Sequence, residues 1–558
     1  MRKTWTLGAL GAALGAVLAA GGCYDFDAAR KRCLDEGRCE QVPDAGRCIP
    51  NTAIDDTPDD TFEDSDCDGV DGRASEGLFV DPVTGDDVNG TGTRDAPLRT
   101  LGHALSLVRQ WDGGAPTRVY LAGGEYQEGE LTLDVPVSLH GGYAGRDGGW
   151  RRAGTQVARL EAGPTALTVR GLSDAGIVLE YLRVRSADGQ APGQPSIALR
   201  VIGSDVRLRH TVLTAGHGAA GQDGANGDAG APGPDGGEGT KTLQESPTVP
   251  GEGGAGGINL ACPGEEGSRS GGDGAPGVHK TVGNDGAPGQ PQAGGPPTGG
   301  TGGAGGALDT KDCRASPSSC GCNAGDGFAG DAGVAGIPGD AGAFGAGMGT
   351  LSEVDGTWTV GAGQNGGAGE PGTSGTGGGG GGSGGSCLIQ SSPQITEPAS
   401  PGGSGGGAGG CGGQGGAGGG GGGASIGLLV FDSNVALETA TSIETLGGGA
   451  GGRGGTGGRG GSGGEGGLTV GRTNLEDMTY KSGAGGPGGK GGNGGAGGPG
   501  GGGGGGPSVG IWCTRSQVTQ DDAGTTITQG PGGDGGPSAG LAGEPGASVP
   551  TLGCPTSP

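Results

Sequence analysis

Glycine is the feature that most limits what this chain can fold into, since it occupies 153 of 558 positions, with proline at another 35. Together they make up about a third of the residues, a level at which aperiodic sequence is low-complexity. Aromatic residues amount to only 3%, so the chain cannot build one large hydrophobic core. Ordered structure must therefore be concentrated in a few apolar segments.

The glycines follow a three-residue period. Every third residue is Gly in 218–239 and again in 327–345, and elsewhere the pattern becomes Gly-Gly-X. Because glycine loses the most conformational entropy on ordering, we expect these insertions to be disordered. The main alternative is an intrachain bundle of extended, polyglycine-II-like helices, stapled by the cysteines from Cys262 to Cys411, which resembles glycine-rich antifreeze bundles in spacing only. A collagen-like triple helix is disfavoured because proline is sparse and the register breaks.

The first residues predict export to the cell envelope. Arg2 and Lys3 precede an uncharged stretch, 5–20, that is too short for a comfortable membrane span but right for a signal sequence. Small residues directly before Cys23 resemble a lipobox, although Ala20 stands where that motif usually has Leu. The resemblance implies cleavage before Cys23, acylation of its thiol and an outer-membrane lipoprotein facing the periplasm or the exterior. Ordinary signal-peptidase cleavage is the alternative.

Cysteine number and net charge agree with an exported protein. Setting Cys23 aside leaves 12 of the 13 cysteines, an even number that favours disulfide pairing in an oxidising compartment. Cys320 and Cys322 could form a metal or redox pair, but no second pair with zinc-site spacing accompanies them. The net charge is −27, which repels nucleic acid, and we therefore predict no nucleic-acid partner.

A short acidic loop in the segment before residue 78 indicates calcium. Asp64, Asp66 and Asp68, with the glycine at 69, have the D-x-D-x-D-G spacing that directs alternate carboxylates at one hard cation. The bidentate Glu of a complete loop is missing, and Asp71 is the substitute ligand that we predict. The alternative to calcium as a cofactor is a solvated acidic linker.

Residues 78–126 show an ordered series of motifs. Apolar residues recur at helical spacing after Pro97 and predict a short helix with one apolar stripe; they are Leu98, Leu101, Leu105 and Val108. Val119 and Leu121 then begin a strand that turns at the glycines 123–124. The series resembles the opening module of right-handed parallel β-helix proteins of the pectin-lyase-like class, in which such a helix caps the end of the solenoid.

An internal repeat predicts the same fold independently. Three segments, 196–206, 425–435 and 508–518, align without gaps, and a looser copy lies at 165–186. Each has an alternating strand, a turn with Ser and a second strand, followed by a further apolar piece. One such repeat cannot bury its apolar face alone, so the copies must stack. Alternation predicts that Ile197, Leu199 and Val201 point inward and Arg200 outward.

We therefore predict an all-β protein, a right-handed parallel β-helix interrupted by long glycine-rich, disordered or polyglycine-II-like insertions. The predicted divisions are a signal peptide at 1–22, a Cys/Asp-rich tether at 23–77, β-helix at 78–217, 424–447 and 507–530, glycine-rich insertions at 218–423 and 448–506, and a glycine-rich tail at 531–558. Each insertion leaves from the end of a coil and returns one rung later.

The arginines of two strands are the candidate ligand-binding residues. Arg183, Arg185, Arg207 and Arg209 alternate with apolar residues, so they are predicted to point outward, where they could meet an acidic sugar; a solvated strand face is the alternative. No catalytic constellation stands out, and the five histidines show neither ligand spacing nor an evident partner. The expected function is a non-catalytic envelope lipoprotein, held to the membrane by its lipid anchor, that displays glycine-rich loops for contact with polysaccharide or extracellular matrix. The alternative is a polysaccharide lyase or glycoside hydrolase of the same fold.

Overall fold

A computed structural model describes most of the chain after residue 54. The described residues are 31–32, 48, 50, 55–111, 114, 116–243, 245–262, 269–291, 298–316, 320–352, 356–360, 367, 369–391, 394–475, 479–521 and 524–555. The predicted signal peptide, the predicted lipidation site Cys23 and the cysteines Cys33 and Cys39 lie outside them. The chain divides into two compact units, Met1–Ser75 and Glu76–Pro558.

The second unit is all-β and is built mainly from three parallel sheets. The strands are β1 Gly77–Val80, β2 Arg118–Ala122, β3 Gly124–Gln127, β4 Leu131–Leu133, β5 Ser138–Tyr143, β6 Ala158–Ala162, β7 Thr165–Arg170, β8 Ile177–Glu180, β9 Leu182–Ser186, β10 Ser196–Ile202, β11 Asp205–Arg209, β12 Val212–His217, β13 Asp309–Asp312, β14 Cys322–Asn323, β15 Thr350–Leu351, β16 Trp358–Thr359, β17 Cys387–Gln390, β18 Ser425–Phe431, β19 Asn434–Leu437, β20 Ser442–Gly447, β21 Asn474–Leu475, β22 Tyr480–Lys481, β23 Ser508–Thr514, β24 Gln517–Gln520, β25 Thr526–Gln529 and β26 Ser548–Leu552. The helices are α1 Leu101–Arg109 and the 3-10 turn Ala74–Glu76.

Successive strands enter the three sheets in turn. The first sheet has the order β1-β2-β5-β8-β11-β19-β24, the second β3-β6-β9-β12-β20-β25 and the third β4-β7-β10-β18-β23-β26. The sequence repeat is confirmed in register, because Ser196 lies opposite Ser425, which lies opposite Ser508. The looser copy is confirmed as well, with Ile197 opposite Thr165. The repeats are therefore neighbours in one sheet even though more than two hundred residues separate the first two.

The corners between sheets repeat the same backbone conformation. From the third sheet to the first, the chain turns through residues with positive φ; these are Gly171, Gly203, Asp432 and Arg515. A serine follows in three of these corners, and its hydroxyl accepts a hydrogen bond from the amide of the equivalent residue in the preceding repeat. Ser204 Oγ accepts from the Leu172 amide and Ser433 Oγ from the Ser204 amide, both at 3.0 Å. This hydrogen bond explains why the sequence repeat keeps a serine after its first strand.

The apolar core lies between the three sheets, and α1 packs against one end of it. Leu98, Leu101, Leu105 and Val108 are all buried in this core, which confirms the stripe, with Leu98 just before the helix. Thr100 caps the helix by accepting a hydrogen bond from the His103 amide. The predicted inward side of β10 is partly wrong. Leu199 and Val201 are in the core, but Ile197 packs in a second cluster on the outer face of the third sheet, under Trp358 of the β15–β16 hairpin.

The glycine-rich insertions are ordered by backbone hydrogen bonds. In the extended segments every third amide donates to another segment, as in Gly221 to the Ala450 carbonyl and Gly224 to that of Arg453, both at 2.8 Å. The segments are 218–239, 251–257, 271–277, 283–290, 299–307, 325–345, 369–386, 400–423, 448–467, 483–506, 531–537 and 541–547. The repeat matches an extended helix of three residues per turn. The expected disorder is therefore wrong for these residues, because each glycine gains hydrogen bonds that offset its entropy loss.

The glycine segments continue the sheets. Strands β12, β20 and β25 lead directly into 218–239, 448–467 and 531–537, and the pairing does not break: Val212 lies opposite Ser442, and a few residues later the Gly218 amide donates to the Gly447 carbonyl. The segments 400–423, 483–506 and 541–547 return to β18, β23 and β26. The predicted tail at 531–558 is therefore two glycine segments and a last strand of the third sheet.

Three central segments, 369–386, 400–423 and 483–506, are surrounded by others. Segment 400–423, for example, has backbone hydrogen bonds to 218–239, 251–257, 271–277, 369–386, 448–467 and 483–506. A side chain on a surrounded position would collide with a neighbouring backbone, and a Cβ built on Gly380 would overlap the carbonyl of Asp273. Close packing from every side therefore requires runs of consecutive glycines.

The number of glycines per triplet follows the number of neighbours. One side of segment 369–386 carries threonine at first and glycine once segment 299–307 packs against it. The successive residues on that side are Thr373, Thr376, Gly379, Gly382 and Gly385. In 483–506, Gly-Gly-X changes to continuous glycine from Gly500, where the last two segments, 531–537 and 541–547, pack against it. Where other segments enclose a position, it holds glycine or a small residue, such as Ser383, Ala408 or Cys411.

Outer segments use acidic and amide side chains to satisfy amides at the surface. Asp223 Oδ1 accepts from the Arg453 amide at 2.7 Å, and Asn226 Oδ1 accepts from the Thr456 amide at 2.9 Å. These short side chains reach the neighbouring backbone because the two segments run in parallel and in register. Part of the strongly acidic composition is therefore structural.

Candidate functional site

The predicted arginines lie on two different sheets. Arg183 and Arg185 are outward residues of β9 in the second sheet, whereas Arg207 and Arg209 belong to β11 in the first. The corner at His210, whose φ is 46°, turns the chain between the two sheets. The idea of one arginine face is therefore corrected: the sequence pattern shows that a side chain points outward but not which sheet it is on.

On the first sheet, a row of outward residues is buried instead of exposed. The register places Tyr120 opposite His140, His140 opposite Glu180 and Glu180 opposite Arg209. The loop 144–153 covers this row, and its Trp150 packs edge-on against Phe79 with ring centroids 4.7 Å apart.

Glu180 is the centre of this buried row. Its side chain is 0% exposed, and its Oε1 lies 2.7 Å from His140 Nδ1. The same carboxylate forms ion pairs with Arg152 and Arg209. Burial alone would raise the pKa of Glu180, but the hydrogen bond from His140 and the arginine charges outweigh it and lower that pKa to about 2. Burial lowers the pKa of His140, against the opposing effect of Glu180. A neutral imidazole and an ionised carboxylate thus lie beside two guanidinium groups.

The arrangement explains how the loop is held and corrects the sequence reading of the histidines. His140 does have a partner, and Arg152 ties the covering loop to the sheet through both Glu180 and the Gly141 carbonyl, at 3.1 Å for the latter. Because Glu180 is buried and its partners are bonded to it, the group stabilises the fold and is not positioned to meet a substrate. This pair could not be predicted from the sequence, since β5 and β8 have no visible repeat.

Further along the same sheet face lies a shallow groove that is not covered. It has a volume of about 170 Å³ and is lined by Gly176, Asp205, Val206, Arg207, Asn434, Val435, Ala436, Gln517 and Thr519. Its polar groups largely satisfy one another: Asn434 donates to Asp205 at 2.8 Å, and Arg207 pairs with Glu438 at 2.8 Å. Arg207 is therefore not free to neutralise an acidic sugar.

The acidic loop of the first unit is only partly as predicted. Carboxylate oxygens of Asp56, Asp64 and Asp66 lie within 4.8 Å of one another, a group that could hold a cation. Asp68 instead accepts backbone hydrogen bonds from Val70 at 3.1 Å and Ala74 at 2.7 Å, and Asp71 accepts from the Asp59 amide at 3.4 Å. Asp56 was missed because it lies outside the sequence motif. Calcium binding stays a prediction.

The end of the bundle away from the sheets carries a small disulfide-linked cluster, which we name the tip: the described residues 308–316, 320–324, 387–391, 394–397, 469–475 and 479–482. Short parallel pairs join these loops, β13 with β17 and β14 with β22. Disulfides link Cys313 to Cys320 and Cys322 to Cys387, and Tyr480 and Ile389 are buried among them. The pairing confirms that Cys320 and Cys322 are disulfide cysteines. Farther from the tip, Cys262–Cys411 links the chain that follows segment 251–257 to segment 400–423.

Comparison with models of protein families, with known proteins and with solved structures gives no match for this chain. The pectin-lyase-like and lipobox resemblances therefore remain predictions. Among the residues that the structure describes, no helix combines the length and the apolar character of a membrane-spanning segment.

Proposed function

We propose that the protein is a non-catalytic lipoprotein of the cell envelope in which a right-handed parallel β-helix carries the glycine bundle as a stiff spacer that presents the tip. The anchor is Cys23, and the outer membrane is the membrane to which it holds the chain. One observation carries the proposal: the glycine segments continue the sheet register and end in loops that two disulfides close.

The dimensions suit a spacer. At about 3.1 Å per residue, segment 218–239 reaches roughly 70 Å from the edge of the second sheet. A disordered linker of the same length would leave its end free to move through a large volume. Parallel and antiparallel neighbours joined at every third residue instead fix the tip relative to the sheets.

The tip is the part of the bundle with the features of a contact surface. It has irregular loops supported by a rigid scaffold, which is where binding residues are found disproportionately. Exposed polar and charged residues alternate there, as in Thr310, Lys311 and Asp312 of β13. We propose that it contacts polysaccharide or another component of the extracellular matrix. The lyase or hydrolase alternative has no observation in its favour, since Arg207 of the groove is already paired.

Membrane anchoring is tested by Cys23→Ser in cells that express the full chain. We expect the wild type to enter the detergent phase on phase separation and the variant to stay in the aqueous phase. The matched control is Cys513→Ser with Cys554→Ser, which removes a described disulfide but no anchor and should leave partitioning unchanged. Equal detergent-phase fractions for Cys23→Ser and the wild type would refute the anchor.

Presentation by the tip is tested by replacing residues 470–481 with a short Gly-Ser turn. This loop connects segments 448–467 and 483–506 at their outer ends, so the bundle should keep its slow hydrogen exchange. We expect attachment of cells to a glycan- or matrix-coated surface to fall clearly below that of cells with the wild-type chain. Undiminished attachment, with the bundle intact, would show that the tip is not the contact surface.

A further inference from the structure

The outward face of the second sheet forms two straight rows of side chains across its strands. From the paired registers, the first row is Glu125, Arg159, Arg183, Val212, Ser442 and Thr526, and the second is Gln127, Glu161, Arg185, Thr214, Glu444 and Thr528. Neighbours in a row are about 4.8 Å apart, and the two rows are about 6.7 Å apart. Unlike the buried row of the first sheet, the charged members of these rows are largely exposed.

Arg159 and Arg183 are directly opposite each other in this face. Like charges opposite each other on neighbouring strands destabilise a sheet. Neither guanidinium has a carboxylate oxygen within 4.0 Å among the described residues, although the chain carries a net charge of −27. Arg185, next to them, has only a loose contact with Glu161 at 3.9 Å, with both side chains substantially exposed.

Arginines elsewhere show that pairing is easily achieved in this protein. Arg207 and Arg515 each contact a carboxylate at less than 3 Å, and Arg209 contacts the buried Glu180. The adjacent pair on the second sheet lacks such a contact among the described residues, so both guanidinium groups are available to a ligand.

We propose that Arg159, Arg183 and Arg185 bind the carboxylates of an acidic polysaccharide that lies across strands β6 and β9. Guanidinium groups bind carboxylates through two parallel hydrogen bonds. The face is flat, so it suits a polymer with repeated acidic groups better than an enclosed small molecule. Thr214 and Ser442 continue the two rows and can hydrogen-bond sugar hydroxyls.

A nucleic acid fits this face less well. The two rows contain no aromatic side chain on which bases could stack. The inference rests on the proposed export of the chain, since acidic polysaccharides of this kind belong to the cell exterior.

The experiment measures binding of polygalacturonate to the full chain purified in a non-ionic detergent, with dextran as the neutral polymer and single-stranded DNA as the polyphosphate. The test variant is Arg159→Gln with Arg183→Gln. The matched control is Arg170→Gln with Arg453→Gln, which removes two exposed arginines from other faces. We expect the test variant to bind about tenfold more weakly and the control to bind like the wild type.

The substitutions Arg159→Gln and Arg183→Gln should leave the melting temperature of the chain unchanged or slightly raised, since they remove two like charges from neighbouring strands. Equal affinity of the test variant and the wild type would overturn the site, as would dextran or DNA binding as tightly as polygalacturonate. Detergent partitioning of wild type and Cys23→Ser is measured on the same preparations. Equal detergent-phase fractions for the wild type and Cys23→Ser therefore refute the proposed anchoring, whereas intact anchoring of the wild type without polygalacturonate binding refutes only this site.

Discussion

The packing of the glycine bundle makes Gly380→Ala a demanding test of the structure. Gly380 lies in a central segment, its amide donates to the Ala287 carbonyl and its carbonyl accepts from the Gly303 amide, both at 2.8 Å. A methyl group there would overlap the carbonyl oxygen of Asp273. The segments must move apart, because backbone on both sides leaves no flexible side chain to yield.

The expected cost follows from those contacts. Moving the segment stretches the two hydrogen bonds of Gly380 in a buried place, and each buried group left unsatisfied costs about 1–3 kcal/mol. The free energy of unfolding of the bundle should therefore fall by about 2–6 kcal/mol. The control is Gly129→Ala, an exposed glycine with open space around its Cα and no positive φ. It should change stability by less than about 1 kcal/mol, in the stabilising direction if at all.

Hydrogen exchange followed by mass spectrometry is the suitable assay, because it reports the opening of each segment separately. We expect faster exchange in 283–290 and 299–307, which bond to Gly380 directly, and unchanged exchange in the core strands β8 and β11. If Gly380→Ala and Gly129→Ala gave the same exchange throughout the glycine segments, the close packing described here would be refuted.

Three further predictions concern the sheets and the acidic loop. Val435→Asp, at a core position 2% exposed, should cost several kcal/mol and lower the melting temperature sharply, whereas Val88→Asp at an exposed site should not; a wild-type melt of the core variant would contradict the stacked register. The pKa of Glu180 is about 2 in the folded chain, below its value in the unfolded chain, so the unfolded chain takes up the proton at higher pH. Its contribution to stability, about 3 kcal/mol, is therefore complete above about pH 4.5 and is lost as the pH falls towards 2. Glu180→Gln should reduce the fall in melting temperature between pH 7 and pH 2. Calcium titration calorimetry should show heat of binding that Asp64→Asn abolishes, and an unchanged titration would exclude the acidic loop as the site.

The stacking of the repeats could be predicted from the sequence because residues at equivalent positions of the repeats are the residues that pair. Ser196, Ser425 and Ser508 align by residue type alone, and strand pairing follows that alignment. The prediction that Ile197 points into the core was wrong, because the sequence of a strand with apolar residues on both faces does not show how each face is covered. The covering hairpin comes from an insertion far along the chain, at residues 350–352 and 356–360.

The glycine segments and the candidate sites were harder to predict. Composition alone favours disorder, since the stabilising contacts are backbone hydrogen bonds between segments and no side chain signals them. The partner of His140 and the third carboxylate at Asp56 depend on which loops approach in space. Arg159 escaped notice for the same reason, as its neighbour Arg183 is adjacent only after the strands are stacked.

Position within the three-residue period decides which residues of a glycine segment face a neighbouring segment and which face solvent. In segment 448–467, glycine columns face the neighbours and the third column, with Arg453 and Thr456, faces solvent. Deleting one residue would rotate every following position by a third of a turn and force those side chains into neighbouring backbones until the next loop. Deleting three residues would shorten the segment and keep each column in place. Insertions and deletions within such segments should therefore occur in multiples of three residues, and changes of a single residue should be confined to the loops.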